Sequence, residues 1–97
     1  MKFKIGVLSD SFRLSPLEGI RKAKEMGADG FQVYVVSGSL TPEAMTVRDR
    51  REFRNFCRKL GIEPSALCGD LGGHGFERAE ENPAKIGRSC RIVDLAV

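Results

Sequence analysis

The chain has 97 residues, 41% hydrophobic and 30% charged, and its 16 Lys and Arg against 13 Asp and Glu leave a net charge of +3. That length supports one modest core and not two. The longest uncharged apolar stretch, Phe31 to Val36, is far short of the ~20 residues of a membrane-spanning helix, and the composition also excludes a fibre and a disulfide scaffold.

Met1 to Ile5 shows no apolar leader ahead of the polar Ser9-Asp10-Ser11, so a cytoplasmic chain is expected. Lys4 to Leu8 reads as a first strand. Ser15-Pro16-Leu17-Glu18 then reads as a helix start: a cap, a proline at the first helical position and a Glu that closes a capping box. Leu17, Ile20 and Ala23 share a face of that helix. Lys24-Glu25-Met26-Gly27 ends it, because a basic last turn followed by Gly satisfies the last carbonyls.

Phe31 to Val36 is the second strand. Thr41-Pro42-Glu43 reads as the next helix start and Arg58-Lys59-Leu60-Gly61 as its end, with Phe53, Phe56, Cys57 and Leu60 on one apolar stripe. Six basic residues against two acids between Arg48 and Lys59 give this helix a basic outer face. Both of its aromatics lie on the buried stripe, so the face reads as solvated rather than as a nucleic-acid surface. Ser65 to Cys68 is a weaker third strand. Asn82-Pro83 opens a third helix, with Ile86, Cys90, Val93 and Val97 at i, i+4, i+7 and i+11. Cys57, Cys68 and Cys90 form no C-x-x-C pair; Cys57 and Cys90, each on a helical stripe, read as small core hydrophobes of a reducing compartment.

Near-continuous apolar strands alternating with amphipathic helices predict right-handed βαβ units around a parallel sheet. Val97 falls within the third helix without a stop signal, so a truncated chain is expected. In such folds ligands meet the C-terminal ends of the strands. The segments there are Ser9 to Leu14, Ser37 to Leu40, and the loop from Gly69 to Glu81 with four glycines and the one histidine, His74. Neither G-x-G-x-x-G nor a P-loop motif occurs there. Asp10, Cys68, Asp70 and His74 are the chemistry-bearing residues of these ends, and Gln32 and Tyr34 alternate with Phe31, Val33 and Val35 along the second strand. No Ser-His-Asp set or carboxylate pair can be assembled, and one histidine cannot supply a multi-histidine zinc site.

Lys4-Ile5-Gly6-Val7, the run Leu17 to Val33 with Gly27-Ala28-Asp29-Gly30 leading directly into a strand, Phe53 to Gly61, and Ser65 to Asp70 together resemble the start of the xylose-isomerase-like (β/α)₈ barrels. These are sugar phosphate isomerases and epimerases, with endonuclease IV as a distant relative. The likeness runs through nearly all 97 residues. It implies that residues 1–97 are the first three βα units of a TIM barrel, continuing past Val97 into a fourth strand. It further implies a divalent metal (Mn, Mg, Zn or Co) in the full-length parent, held by residues of later strands, with none expected in this chain. By resemblance, Asp10, Phe12, Gln32, Tyr34, Cys68, Asp70 and His74 contribute to binding a small carbohydrate, and the 97 residues alone are inactive. Two positions depart from the family: many members carry an acid where Gln32 stands, and a histidine directly at the end of strand three, whereas His74 lies further along the loop. The alternative is a small α/β binding module without catalytic activity. In either case a homo-oligomer through sheet edges or uncovered helices is expected, and neither membrane nor nucleic acid is an expected partner.

Overall fold

A computed structural model describes residues 3–97; Met1 and Lys2, part of the segment read above for a leader, lie outside the described residues. Three strands and three α-helices alternate: β1 (Gly6–Leu8), α1 (Pro16–Glu25), β2 (Gly30–Tyr34), α2 (Val47–Leu60), β3 (Glu63–Cys68) and α3 (Asn82–Ala96). Short 3₁₀ turns follow β1 and β2, at Ser9–Phe12 and Gly38–Leu40, and another precedes α3 at Ala79–Glu81. No helix among the described residues is long and apolar enough to cross a membrane.

The strands form one parallel sheet in the order β1-β2-β3. Leu8 stands opposite Gln32, and Tyr34 opposite Cys68. The register slips between the Phe31–Pro64 and Gln32–Ala66 pairs, leaving Ser65 as an extra residue. Its hydroxyl donates to the Phe31 carbonyl at 2.9 Å, a bond that the adjacent Pro64, with no N–H, cannot supply. β3 is therefore longer than the run Ser65 to Cys68 suggests, because Glu63 and Pro64 join it despite low strand propensity. β1 is shorter than Lys4 to Leu8: Ile5 bonds outside the regular ladder, its amide donating to the Asp29 carboxylate and its carbonyl accepting from Asp29 and Gly30.

Side chains alternate across a strand, and β2 divides its residues cleanly. Phe31, Val33 and Val35 are buried, while Gln32 and Tyr34 face the other way. The buried set shares one core with Ile20 and Ala23 of α1, Cys57 of α2 and Ile92 of α3. All three helices thus cover a single face of the sheet. Phe31 and Phe53 meet edge to face at 6.3 Å, a geometry that suits the ring quadrupoles. Gly19 lets α1 approach the first 3₁₀ turn, since a Cβ there would come within 2.9 Å of the Ser9 carbonyl.

The helix boundaries correct three sequence expectations. Ser15 does precede α1, with Pro16 at its first position, but no side-chain cap bond forms, so the predicted capping box is absent. The second helix does not begin at Thr41-Pro42-Glu43. Thr41 instead closes a turn, its hydroxyl accepting from the Ala44 amide and donating to the Gly38 carbonyl. The cap lies five residues on, where Thr46 and Asp49 make a reciprocal capping box; an Asp in the place usually held by Glu or Gln hid it. Asn82 is the first residue of α3 rather than its cap, and its amide donates to the Phe76 carbonyl. The two predicted stops hold: Gly27 and Gly61 take φ of 88° and 77°, the left-handed region open to glycine.

The third helix also corrects the predicted stripe. Ile86, Cys90, Val93 and Val97 are exposed, and Ile92 and Leu95 pack on the core instead. Cys90 is therefore not a core residue. The rotation has a polar cause. The Arg88 guanidinium donates to the Val36 carbonyl at 3.1 Å, and the Lys85 ammonium donates to the carbonyls of Gly72 and Gly75. These bonds fix which side of α3 faces the sheet.

Candidate functional site at the strand ends

The C-terminal ends of the three parallel strands bring together residues distant in sequence. After β1 the chain turns at once into the 3₁₀ turn, which aims Asp10 back across the sheet. Its carboxylate accepts the backbone amide of Tyr34 at 2.8 Å. Ser9, fully buried beside it, donates to the Gln32 carbonyl at 3.3 Å. This pair ties the end of β1 to the end of β2.

Tyr34 lies at the centre of the cluster on the open face, 42% exposed and paired in register with Cys68. Its phenol is pushed above the ordinary tyrosine value. The neighbouring Cys68 thiol is the main cause, followed by burial and the carboxylates of Asp70 and Asp10. The phenol therefore stays protonated across the neutral range and can donate to a ligand oxygen. Asp70 is oriented in its turn, with Oδ1 accepting the Gly72 amide at 2.9 Å, an Asx turn. Gln32 shares the open face with Tyr34, one pleat earlier.

Four of the seven residues expected at a binding site, Asp10, Tyr34, Cys68 and Asp70, thus converge, with Gln32 alongside. Phe12 packs against the core. His74 sits in an exposed turn, and no side-chain hydrogen bond ties it to the cluster among the described residues. The glycines of its loop serve backbone geometry: Gly72, Gly73 and Gly75 all have positive φ, from 62° to 75°. They curl the loop so that its carbonyls face Lys85. That lysine, its side chain only 15% exposed, also pairs with Glu81 at 3.5 Å. Sequence reading passed over Lys85, although Glu81 and Lys85 at i, i+4 were a visible helical pair.

Among the described residues no three of His, Cys, Asp and Glu converge as a metal-holding group. The donors present therefore do not fit a divalent metal, and no step is derived through one. What the cluster offers is a protonated phenol, an amide, a thiol and two carboxylates on one open sheet face. The chain matches no family model and no curated protein.

Proposed function

We propose that the open face at the strand ends binds a small carbohydrate, and that residues 1–97 are the first three βα units of a xylose-isomerase-like barrel. The parent in this reading is a sugar or sugar phosphate isomerase or epimerase. The observation that carries the proposal is that α1, α2 and α3 all lie on one face of a β1-β2-β3 parallel sheet. In a doubly wound sheet the connection after the third strand crosses to the opposite face to reach the far side of β1. In a barrel every helix stays outside and the other face turns inward, with ligands at the C-terminal strand ends. α3 sits on the same side as its predecessors, as a barrel requires.

The chemistry of the cluster supports a polyhydroxylated ligand. Sugar hydroxyls both donate and accept; the Asp10 and Asp70 carboxylates accept, the Tyr34 phenol donates, and the Gln32 amide does both. These residues bind and orient. In this reading the parent's metal-assisted proton transfer belongs to residues of later strands.

Titration of the labelled protein with xylose and with a sugar phosphate, followed by amide NMR, tests the reading. The amides of Tyr34, Cys68 and Asp70 should shift together. Tyr34→Phe should weaken binding about 5-fold, equivalent to the ~1 kcal/mol net worth of one neutral hydrogen bond. Shifts confined to other surfaces, or none at millimolar sugar, would overturn it. So would turnover of a sugar by this chain when Mn²⁺ is added.

A further inference from the structure

The start of α3 holds the loop that follows β3. The Asn82 amide donates to the Phe76 carbonyl at 3.0 Å. The Lys85 ammonium donates to the carbonyls of Gly72 and Gly75 and pairs with Glu81 at 3.5 Å. An ammonium has donors and no acceptor, and here its donors are taken up by the loop and its own helix. With its side chain only 15% exposed, Lys85 is not a ligand contact.

Gly72 is held from both sides. Its carbonyl accepts from Lys85 at 3.4 Å, and its amide donates to Oδ1 of Asp70 at 2.9 Å. Asp70 lies just beyond Cys68, the residue in register with Tyr34, and its carboxylate is one of the acceptors of the candidate carbohydrate site. A relay of hydrogen bonds thus runs from α3 through Gly72 to a binding carboxylate. The segment it crosses is soft: Gly72, Gly73 and Gly75 take φ of 75°, 65° and 62°, and glycine has more backbone freedom to lose than any other residue. Released from the lysine, the loop regains that freedom and the Gly72 amide no longer fixes the Asp70 carboxylate.

We propose that Lys85 is a positioning residue of the carbohydrate site, setting its affinity through Gly72 and Asp70 without touching the sugar. The inference rests on the reading of the strand ends as that site. A carboxylate locked before binding spares the ligand the entropy of ordering it. The coupling is reciprocal by thermodynamic necessity: if the held loop favours the sugar, the sugar steadies the loop. A lysine that only docked α3 would weaken the fold when removed and would have no specific link to Asp70.

The first measurement uses the unaltered chain. Saturation with xylose, seen as shifts of the Tyr34 and Cys68 amides, should slow amide exchange from Gly72 to Gly75 by at least ~2-fold. Lys85→Met, with its fold confirmed by circular dichroism, should bind xylose about 5-fold more weakly, the effect of ordering a freed side chain and loop on binding. In an Asp70→Ala background the same change should leave the remaining affinity as it is, because the relay has lost its end. Without any sugar, the Gly72 amide resonance should follow the titration of the Asp70 carboxyl in the parent chain and lose most of that dependence in Lys85→Met. Equal losses in the two backgrounds, xylose binding that leaves exchange in the loop unchanged, or a Gly72 titration that survives Lys85→Met overturns the proposal. If xylose shifts neither Tyr34 nor Cys68, the carbohydrate reading falls instead, and the Gly72 titration alone decides whether Lys85 positions Asp70.

Discussion

The second and third helices both carry an apolar stripe in the sequence, yet they dock by opposite means. α2 buries its stripe: Cys57 is enclosed, and Phe53, Phe56 and Leu60 lean on the core. α3 leaves its longest stripe in solvent and is held at its N-terminal half by cations on carbonyls, Lys85 on the glycine loop and Arg88 on Val36. In its other half Ile92 and Leu95 pack on the core and Arg91 pairs with Glu43. The two thiols on these helices record the difference. Burial pushes Cys57 up to about 11, whereas Cys90 is exposed. Periodicity therefore identifies a helix and its apolar side, but polar groups that find carbonyls at a strand end can decide which side faces inward.

The contrast breaks first at the stripes. Phe53→Ala removes the edge-to-face contact with Phe31 and opens the core, and should cost about 3 kcal/mol in urea unfolding. Val93→Ala on the exposed stripe of α3 should stay within about 0.5 kcal/mol. A large loss at Val93 would mean that α3 packs by its stripe after all. The polar docking comes next. Lys85→Met keeps the stem and deletes the ammonium, leaving the Gly72 and Gly75 carbonyls without their donor. It should cost about 2 kcal/mol and speed amide exchange from Gly72 to Gly75. If exchange in the loop is unchanged, the lysine does not hold it.

Much of this architecture was legible in the residues because local chemistry and tertiary structure agreed. Gly27 and Gly61 end their helices where a left-handed residue is needed, and Phe31, Val33 and Val35 alternate as a half-covered strand must. The Asp10, Tyr34 and Asp70 positions could be assigned to strand ends for the same reason. Their mutual arrangement could not, since the Asp10 bond to the Tyr34 amide and the Tyr34–Cys68 register depend on how the strands pair. The rotation of α3 was hidden for a similar reason: the carbonyls that capture Lys85 and Arg88 come from chain segments 10 and 52 residues away. Pattern reading weighs apolar side chains and is blind to a backbone acceptor brought in by the fold.

The smallest effects separate the helices at their N-termini. α2 has a side-chain cap and α3 has none, so Thr46→Ala should cost about 1 kcal/mol. The acid side of the same box is tested by pH. Asp49 lies below the usual carboxylate value, chiefly because the Thr46 amide donates to it, with a smaller contribution from the Thr46 side chain. A carboxyl whose folded value is depressed adds stability that is present above the unfolded value of about 3.9 and disappears as pH falls through the folded one. Urea midpoints of the parent chain and of Asp49→Asn should therefore be best separated near neutral pH and draw together below about pH 4. The asparagine still offers its carbonyl to the Thr46 amide, so the neutral-pH gap isolates the charge from the hydrogen bond. A gap that persists unchanged at low pH would show that the box stabilises α2 through geometry alone, and would leave the two helices differing only in how their bodies are docked.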